Sequence, residues 1–431
     1  MFDEMMETLN RERLRNLQLS RLRNLIDRLL VSPNDRPRLR SLGLTSGEDV
    51  DLNTLKRLPF TTKDDVVDRY QVAETLVDEI VEWHGSSGTG GRETLIPYTR
   101  RDIKTWGALC ARLLVSAGIS EKSIVANAYG YGLFTGGLGY HYGLGCVGAS
   151  VVPLGLGPMA RLVRLMRDMQ IDTLACTPTY ASRILEYLKV TGMDPRESMN
   201  LCVGVFGAET FSEEMRGALE TGLGLCAFDL YGLSEVTGPG VAGECRERAG
   251  LHVNEDHFLL EVIDPTTGKE CADGVTGEVV LTTLSKEAKP VLRYRTGDLA
   301  SVSHHLCPCR RTFARISRIQ GRLDDMVIIN GVNIFPRDIE EVVFASPHLS
   351  GEFIVVLSEH GSRAVVACES AGMDREARYE VEAALAARLG IAVRAATIPQ
   401  GSLERGDMKR GRRVITAGTP EASSLLNQLE L

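Results

Sequence analysis

At 431 residues the chain is too long for one ordinary hydrophobic core, so two or three domains are expected. A hydrophobic content of 43% with 25% charged residues is that of a soluble globular protein, and the net charge of −8 argues against general nucleic-acid binding. No apolar run is long enough to cross a membrane, the N-terminus lacks the apolar core of a signal peptide, and the ten cysteines then point to a reducing, cytoplasmic setting.

In chain order, Leu9, Leu14, Leu17, Leu22, Leu25 and Leu29 recur at roughly helical spacing and predict an amphipathic helix. Docking on its own core is the first reading of that helix; a homodimer surface is the second. From Ser123 to Gly232, short apolar runs alternate with helical patterns. Strands are expected over Ser123–Ala128, Asp172–Cys176, Leu201–Phe206 and Leu225–Leu230, with helices over Met159–Met169, Tyr180–Lys189 and Ser212–Glu220. This βαβ rhythm predicts a parallel sheet with helices on both faces, and ligands at the carboxyl ends of its strands. After Asp256 the pattern changes: Phe258–Ile263, Gly277–Thr282 and Pro290–Tyr294 read as strands of an antiparallel or barrel-like subdomain. Beyond Gly321 a small α+β unit is expected, with strands at Met326–Ile329, Glu352–Leu357 and Ala364–Ala367 and helices at Pro336–Phe344 and Arg375–Leu389. The fold class is therefore α/β, with a large N-terminal region and a small α+β C-terminal domain.

Five segments carry chemistry. In His84-Gly-Ser-Ser-Gly-Thr-Gly-Gly-Arg-Glu, small residues let backbone amides approach phosphate oxygens, and hydroxyls add further bonds. Alone, such a stretch is a flexible loop more often than a phosphate site, and it lacks the Gly-Lys-Ser/Thr ending of a Walker loop. Tyr231-Gly-Leu-Ser-Glu235 follows an expected strand; a carboxylate there can hold Mg²⁺ against a nucleotide phosphate, although an ordinary βα turn reads the same way. Tyr294-Arg-Thr-Gly-Asp298 can present an acid to ribose hydroxyls, and Gly321-Arg-Leu-Asp-Asp-Met can serve as a hinge; both also read as polar turns. Lys409 is the only lysine after Lys289, in a basic tail whose plain reading is a solvated run. A lysine is a compact, flexible charge suited to a carboxylate–phosphate centre.

These segments, in this order, resemble the adenylate-forming superfamily of acyl-CoA synthetases, and more closely the phenylacetate–coenzyme A ligases. Further stretches that carry the resemblance are Leu58-Pro-Phe-Thr-Thr-Lys, Tyr129-Gly-Tyr-Gly-Leu-Phe-Thr-Gly-Gly-Leu-Gly, Glu255-Asp-His-Phe, Lys286-Glu-Ala and Asp324-Asp-Met-Val-Ile-Ile-Asn-Gly-Val-Asn-Ile-Phe-Pro. The resemblance implies an adenylation domain over 1–322 and a mobile C-terminal domain over 323–431. It implies that Ser86, Ser87, Gly88, Thr89, Gly90 and Gly91 hold the ATP phosphates. Gly207, Ala208, Glu209, Asp229, Tyr231 and Gly232 would line the nucleotide site, Glu235 would bind Mg²⁺, and Asp298 would bind ribose with Arg322 nearby. Asp324 would be the hinge, and Lys409 would bridge the attacking carboxylate and the α-phosphate. Tyr131, Phe134, Thr135, Gly136 and Tyr140 would wall the acyl pocket of an aromatic acid, with core packing as their plainer reading. The implied reaction is ATP-dependent formation of an acyl-adenylate from a carboxylic acid, then transfer to coenzyme A. An amine or carrier-protein acceptor, or nucleotide binding without turnover, are the alternatives.

Three departures from the family pattern stand out. Gly90 replaces a threonine of the phosphate loop, and Arg92-Glu93 replace its Lys-Pro. Gly155-Leu-Gly-Pro-Met stands where relatives carry a Gly-Gly-Asn/Gln-Thr turn beside the acyl pocket. The tail around Lys409 holds an extra residue. Separately, Cys307 and Cys309 form a C-x-C pair, and Cys245 and His252 lie close in sequence. Together they can supply a tetrahedral Cys₃His set for a structural Zn²⁺, with His304 and His305 as rival ligands and two buried thiols beside an unrelated histidine as the plain alternative.

Overall fold

The computed structural model describes residues 1–33, 35–67, 78–86, 94–329, 332–357, 364–370, 372, 375–403 and 414–416. Contacts divide the chain into two units: Met1–Cys176, Pro195–Ala208 and Cys226–Arg318 form the first, and Thr177–Asp194, Glu209–Leu225 and Ile319–Leu431 the second.

The first unit is built on one large mixed sheet. Its parallel strands are β3 (Ile124–Asn127), β4 (Ser150–Pro153), β5 (Thr173–Cys176), β6 (Val203–Gly207) and β7 (Cys226–Tyr231), following an antiparallel ribbon of β1 (Ile80–Ser86) and β2 (Thr94–Thr99). In space the order runs β4-β3-β5-β6-β7 and continues antiparallel through β8 (Ala242–Glu244) and β9 (Leu251–Val253). The near-continuous apolar runs of β3, β5 and β6 suit strands covered on both faces. Two helices, Arg100–Ser116 and Thr135–Val147, bury Leu113, Leu114, Tyr140 and Leu144 against Val125, Ala175, Val205 and Phe228 of the sheet. The first starts with a capping box: Thr99 and Asp102 each accept from the other's backbone N–H, and Asp102 also accepts from the amides of Glu287 and Ala288 at 2.7 and 2.9 Å.

The strands after Asp256 form an open antiparallel sheet. β10 (Phe258–Ile263), β11 (Gly277–Thr283) and β12 (Tyr294–Ala300) pair in that order, and no barrel closes among the described residues. A sheet of so few strands does not return on itself. The expected strand at Pro290–Tyr294 starts only at Tyr294, because Lys289 and Arg293 adopt left-handed φ of +52° and +48° and break the extended run. β13 (Val302–Ser303) and β14 (Arg315–Ile316) then join the far edge of the large sheet through β9.

The amphipathic N-terminal helix spans Arg11–Val31, with Asn10 as its cap accepting from the Arg13 amide. Its Leu22, Leu25, Ile26 and Leu29 pack with Leu39, Leu44, Val50, Leu259 and Leu284. Ion pairs fasten the N-terminal segment to distant parts of the chain. Arg11 grips both oxygens of Glu255, Gln18 donates to the Glu255 carbonyl at 2.8 Å, and Glu7 accepts from Arg311 at 2.5 Å. The helix thus docks on its own core. No helix among the described residues is long and apolar enough to cross a membrane.

In the second unit, strand Phe353–Leu357 pairs antiparallel with Ala364–Ser370 and parallel with Val414–Thr416, while Arg394–Pro399 runs parallel to Ala364–Ser370. Helices Pro336–Ala345 and Arg375–Leu389 bury Ile339, Val343 and Leu385 against Val355 and Val366 of this sheet. Helices Pro178–Thr191 and Glu213–Leu223 belong to the same unit and touch each other.

Candidate active site

In a parallel sheet the chain leaves each strand at its carboxyl end, and side chains from neighbouring strands converge there. Gly207 ends β6 beside Leu230 of β7; a Cβ on it would lie 2.4 Å from the Leu230 carbonyl oxygen, so only glycine lets the two strands pair this closely. Ala208 follows in a left-handed conformation, φ +69°, which turns the chain sharply away from the sheet. At the end of β7, Tyr231 donates its hydroxyl to Asp298 Oδ2 of β12 at 2.6 Å, and both side chains are buried. Asp229 is already engaged: Arg318 donates to its carboxylate at 3.1 Å. Beyond the tight Gly232 turn, Ser234 meets Thr135 at 3.2 Å. Glu235 differs from its neighbours. It is 6% exposed and has no hydrogen-bond or ion-pair partner among the described residues. Its oxygens are not sealed from solvent, so the carboxylate is open to a ligand. A carboxylate placed so at a strand end suits a divalent cation.

The glycine-rich stretch read from the sequence as a pocket wall is the Thr135–Val147 helix and its approach. Its aromatic residues divide. Tyr140 is buried in the core, stacked on Tyr129 with ring centroids 4.7 Å apart, and burial pushes its hydroxyl pKa up strongly. Tyr131 is half-buried, accepts from Asn127 Nδ2 at 2.7 Å and meets His141 Nδ1 at 3.2 Å; burial raises it to about 12 against the opposing Asn127 bond. Phe134, at the helix N-cap, is 38% exposed, whereas Thr135 is buried and Gly136 abuts the Tyr129 ring.

Within the second unit, Glu209 accepts from the Thr179 amide at 3.2 Å, and Arg322 forms a two-bond pair with Asp324 at 2.9 and 3.2 Å. Ser86 ends β1, but its side chain, together with Ser87, Gly88, Thr89, Gly90, Gly91 and Lys409, lies outside the described residues.

The Cys/His pairs, separated by more than fifty residues in sequence, converge. One donor atom each from Cys245, His252, Cys307 and Cys309 all lie within 4.8 Å of one another. The Cys245 and Cys307 sulfurs are 3.8 Å apart, and Cys309 Sγ is 3.3 Å from His252 Nε2. His252 Nδ1 lies 3.4 Å from the Phe313 carbonyl, which leaves Nε2 as the ligating atom. Three sulfurs and one imidazole nitrogen, mostly buried, make a donor set suited to Zn²⁺. His304 is instead paired with Asp273 at 2.9 Å and stays exposed, as does His305.

One buried group had drawn no role from the sequence. Lys286 is buried with its ammonium 3.6 Å over the Tyr98 ring, donating to the Pro97 carbonyl at 3.4 Å. Burial pulls its pKa down to about 8, against the attraction of Asp102. Its only signal was its place in the Lys286-Glu-Ala stretch.

Comparison with known proteins fits this geometry. Residues 33–284 match the AMP-binding enzyme family, and 331–416 match the AMP-binding enzyme C-terminal domain. The phenylacetate-coenzyme A ligase of Thermus thermophilus is 42% identical over 366 residues, 84% of this chain and 82% of that protein. The enzyme of the same name from Pseudomonas putida is 43% identical over 361 residues, 83% and 81% of the two chains. A crystal structure of 2-hydroxyisobutyryl-CoA ligase with 2-HIB-AMP superposes with a TM-score of 0.90 at 25% identity, covering 99% of this chain and 94% of that one. With more than half of its length matched and relatives above 40% identity, this chain belongs to the AMP-binding enzyme family.

Proposed function

We infer that the protein activates a carboxylic acid with ATP, releasing pyrophosphate, and passes the acyl group from the acyl-adenylate to coenzyme A. Family membership and the phenylacetate-coenzyme A ligases support this reading. The observation within the site that carries it is Glu235, a carboxylate without a hydrogen-bond or ion-pair partner among the described residues, at the carboxyl end of a parallel sheet.

In the first half-reaction an acid oxygen bonds to the α-phosphorus of ATP while the bond to the departing pyrophosphate oxygen breaks. Two anions are driven together, so the chain must supply positive charge and donors. The 86–91 loop donates amides and hydroxyls to the phosphates. Lys409 sets its ammonium between the carboxylate and the α-phosphate. Asp298, held by Tyr231, accepts from the ribose hydroxyls, and Gly207, Ala208, Glu209, Asp229 and Gly232 frame the nucleotide. Glu235 would hold Mg²⁺, whose charge neutralises phosphate oxygens when bound. In the second half-reaction the coenzyme A sulfur bonds to the acyl carbon and AMP leaves. Rotation of a C-terminal domain, 323–431, about Asp324 withdraws Lys409 and opens the path for the thiol.

The acid is an aryl acid, received beside Tyr131, Phe134, Thr135, Gly136 and Tyr140. Cys245, His252, Cys307 and Cys309 would hold Zn²⁺ as a closed structural site. All ten cysteines are free of disulfides, in keeping with a cytoplasmic enzyme. A homodimer is the assembly to test. The deciding experiment is pyrophosphate release from ATP with a panel of acids headed by phenylacetate, with and without coenzyme A. The reading expects acid-dependent release and a coenzyme A thioester product. Release with no thioester points to another acceptor, and no release with any acid overturns the reading.

A further inference from the structure

β1 runs directly into the phosphate-loop segment, and three of its last residues are fastened to the helix Thr135–Val147 and its approach. The Leu133 carbonyl accepts twice, from the Gly85 amide at 2.9 Å and from His84 Nδ1 at 3.1 Å. Further back on β1, the Glu82 carboxylate faces His84 Nε2 at 3.2 Å and accepts from the Tyr142 hydroxyl. The two attachments are set well apart on both sides: residues 82 and 85 are roughly 10 Å apart along a strand, and Leu133 precedes a helix on which Tyr142 lies roughly 10 Å beyond the first residue. A single bond would let the helix pivot; these two fixings hold it along the strand.

His84 is the centre of this arrangement. It is 1% exposed, and the Tyr98 and Trp106 rings meet it edge-on at centroid distances of 5.2 and 5.3 Å. The Leu133 carbonyl can only accept, so Nδ1 donates to it, and Nε2 is left facing the Glu82 carboxylate. The steric fit is equally close: a Cβ on Gly85 would lie 2.7 Å from the Leu133 side chain. The helix carries Thr135, Gly136 and Tyr140, assigned above to the acid, and β1 ends at Ser86, assigned to ATP.

We propose that His84 is a positioning residue that couples acid binding to ATP binding, acting through Glu82 and Tyr142. The proposal rests on the reading of the helix as the acid's wall and of 86–91 as the phosphate loop. A shift of the helix on binding an acid is passed to the end of β1 by the Leu133 carbonyl and by the Tyr142–Glu82 bond. By linkage, ATP then tightens acid binding by the same factor.

The test measures binding of an ATP analogue with a methylene between its α- and β-phosphates, to the full chain, by calorimetry with and without phenylacetate. In the unaltered protein the acid is expected to tighten analogue binding about 10-fold, within the usual range of such couplings. Tyr142→Phe and His84→Asn should bring that factor to about 2 or less, while analogue affinity without acid changes by no more than about 3-fold. Glu82→Gln should keep the factor. A glutamine side chain carries both a donor and an acceptor, so it can still meet His84 Nε2 and the Tyr142 hydroxyl, whereas Glu82→Leu breaks both bonds. Tyr142→Phe removes one hydroxyl and nothing else, so it tests the proposal even where His84→Asn fails to fold. An unchanged factor in Tyr142→Phe overturns the proposal. So does an unaltered protein that binds the analogue with the same affinity in the presence of phenylacetate and of every acid that supports pyrophosphate release. Failure of the unaltered protein to bind the analogue at all overturns the functional reading as well.

Discussion

Tyr231→Phe deletes one oxygen and leaves the ring, so it removes the bond to Asp298. That bond is 2.6 Å long and its acceptor is a carboxylate only 4% exposed. A hydrogen bond to a charged group contributes about 1.5–3 kcal/mol, and the upper half applies where the acceptor stays buried after its donor is lost. The first urea transition should therefore move to lower denaturant by an amount equivalent to about 2 kcal/mol. If Asp298 also receives the ribose, the loosened carboxylate should raise the KM for ATP about 10-fold, a cost of about 1.4 kcal/mol, with a smaller effect on the KM for the acid. Both quantities come from one purified variant, by urea titration and by pyrophosphate release at varied ATP. A stability change under about 0.5 kcal/mol would show that the bond is not formed in solution. An unchanged KM for ATP beside a clear loss of stability would remove Asp298 from the nucleotide site.

Lys409→Ala should lower adenylation by roughly 100- to 1000-fold yet spare thioester formation from a supplied acyl-adenylate; equal loss in both half-reactions refutes its assignment. Glu235→Gln should lower Mg²⁺-dependent turnover by roughly 100-fold with the melting temperature little changed, since the carboxylate has no hydrogen bond or ion pair among the described residues to lose; normal Mg²⁺ dependence excludes Glu235 from the site. The purified chain should carry about one zinc, and Cys307→Ser should lower zinc content and thermal stability together without changing acid preference. Elemental analysis without metal, in protein prepared free of chelator, removes that site. Burial pulls Lys286 down to about 8 from 10.5, so between those pH values the unfolded chain binds more protons than the folded one. Its contribution to stability should rise with pH across that window and be least favourable below it. The stability of the unaltered protein relative to Lys286→Met should thus improve by roughly 3 kcal/mol from about pH 7.5 to 10.5, and a flat difference refutes the shift.

What was legible in the sequence was local. Runs such as Leu174-Ala-Cys and Val205-Phe are apolar without alternation, which is what a doubly covered strand requires, and they are strands. The Thr135–Val147 helix was hidden because five of its thirteen residues are glycine, a composition that reads as loop. Four of these glycines serve close packing instead: a Cβ on Gly139, for example, would lie 2.5 Å from the Trp106 ring. The Pro290–Tyr294 error came from backbone conformation that residue type does not announce, since lysine and arginine seldom turn left-handed. At the site, Glu235 and Asp298 could be picked out by motif, but their difference could not. Asp298 has a partner 67 residues away, while Glu235 has none among the described residues. The Cys/His convergence was proposed from two short spacings; its distances needed the fold.

The N-terminal ion pairs have a consequence in time. Arg11 and its partner Glu255 are 244 residues apart, and Glu7 and Arg311 are 304 apart. A ribosome adding about 5–20 residues per second makes the helix first and its acidic and basic partners about 10–60 s later. Early partners such as Leu39, Leu44 and Val50 can shelter one side of the Leu22, Leu25 and Leu29 stripe, but Leu259 and Leu284 arrive only with the second half of the chain. For that interval the nascent chain carries an apolar helix face whose cover has not been made, and this is the stretch on which a chaperone at the ribosome exit would act.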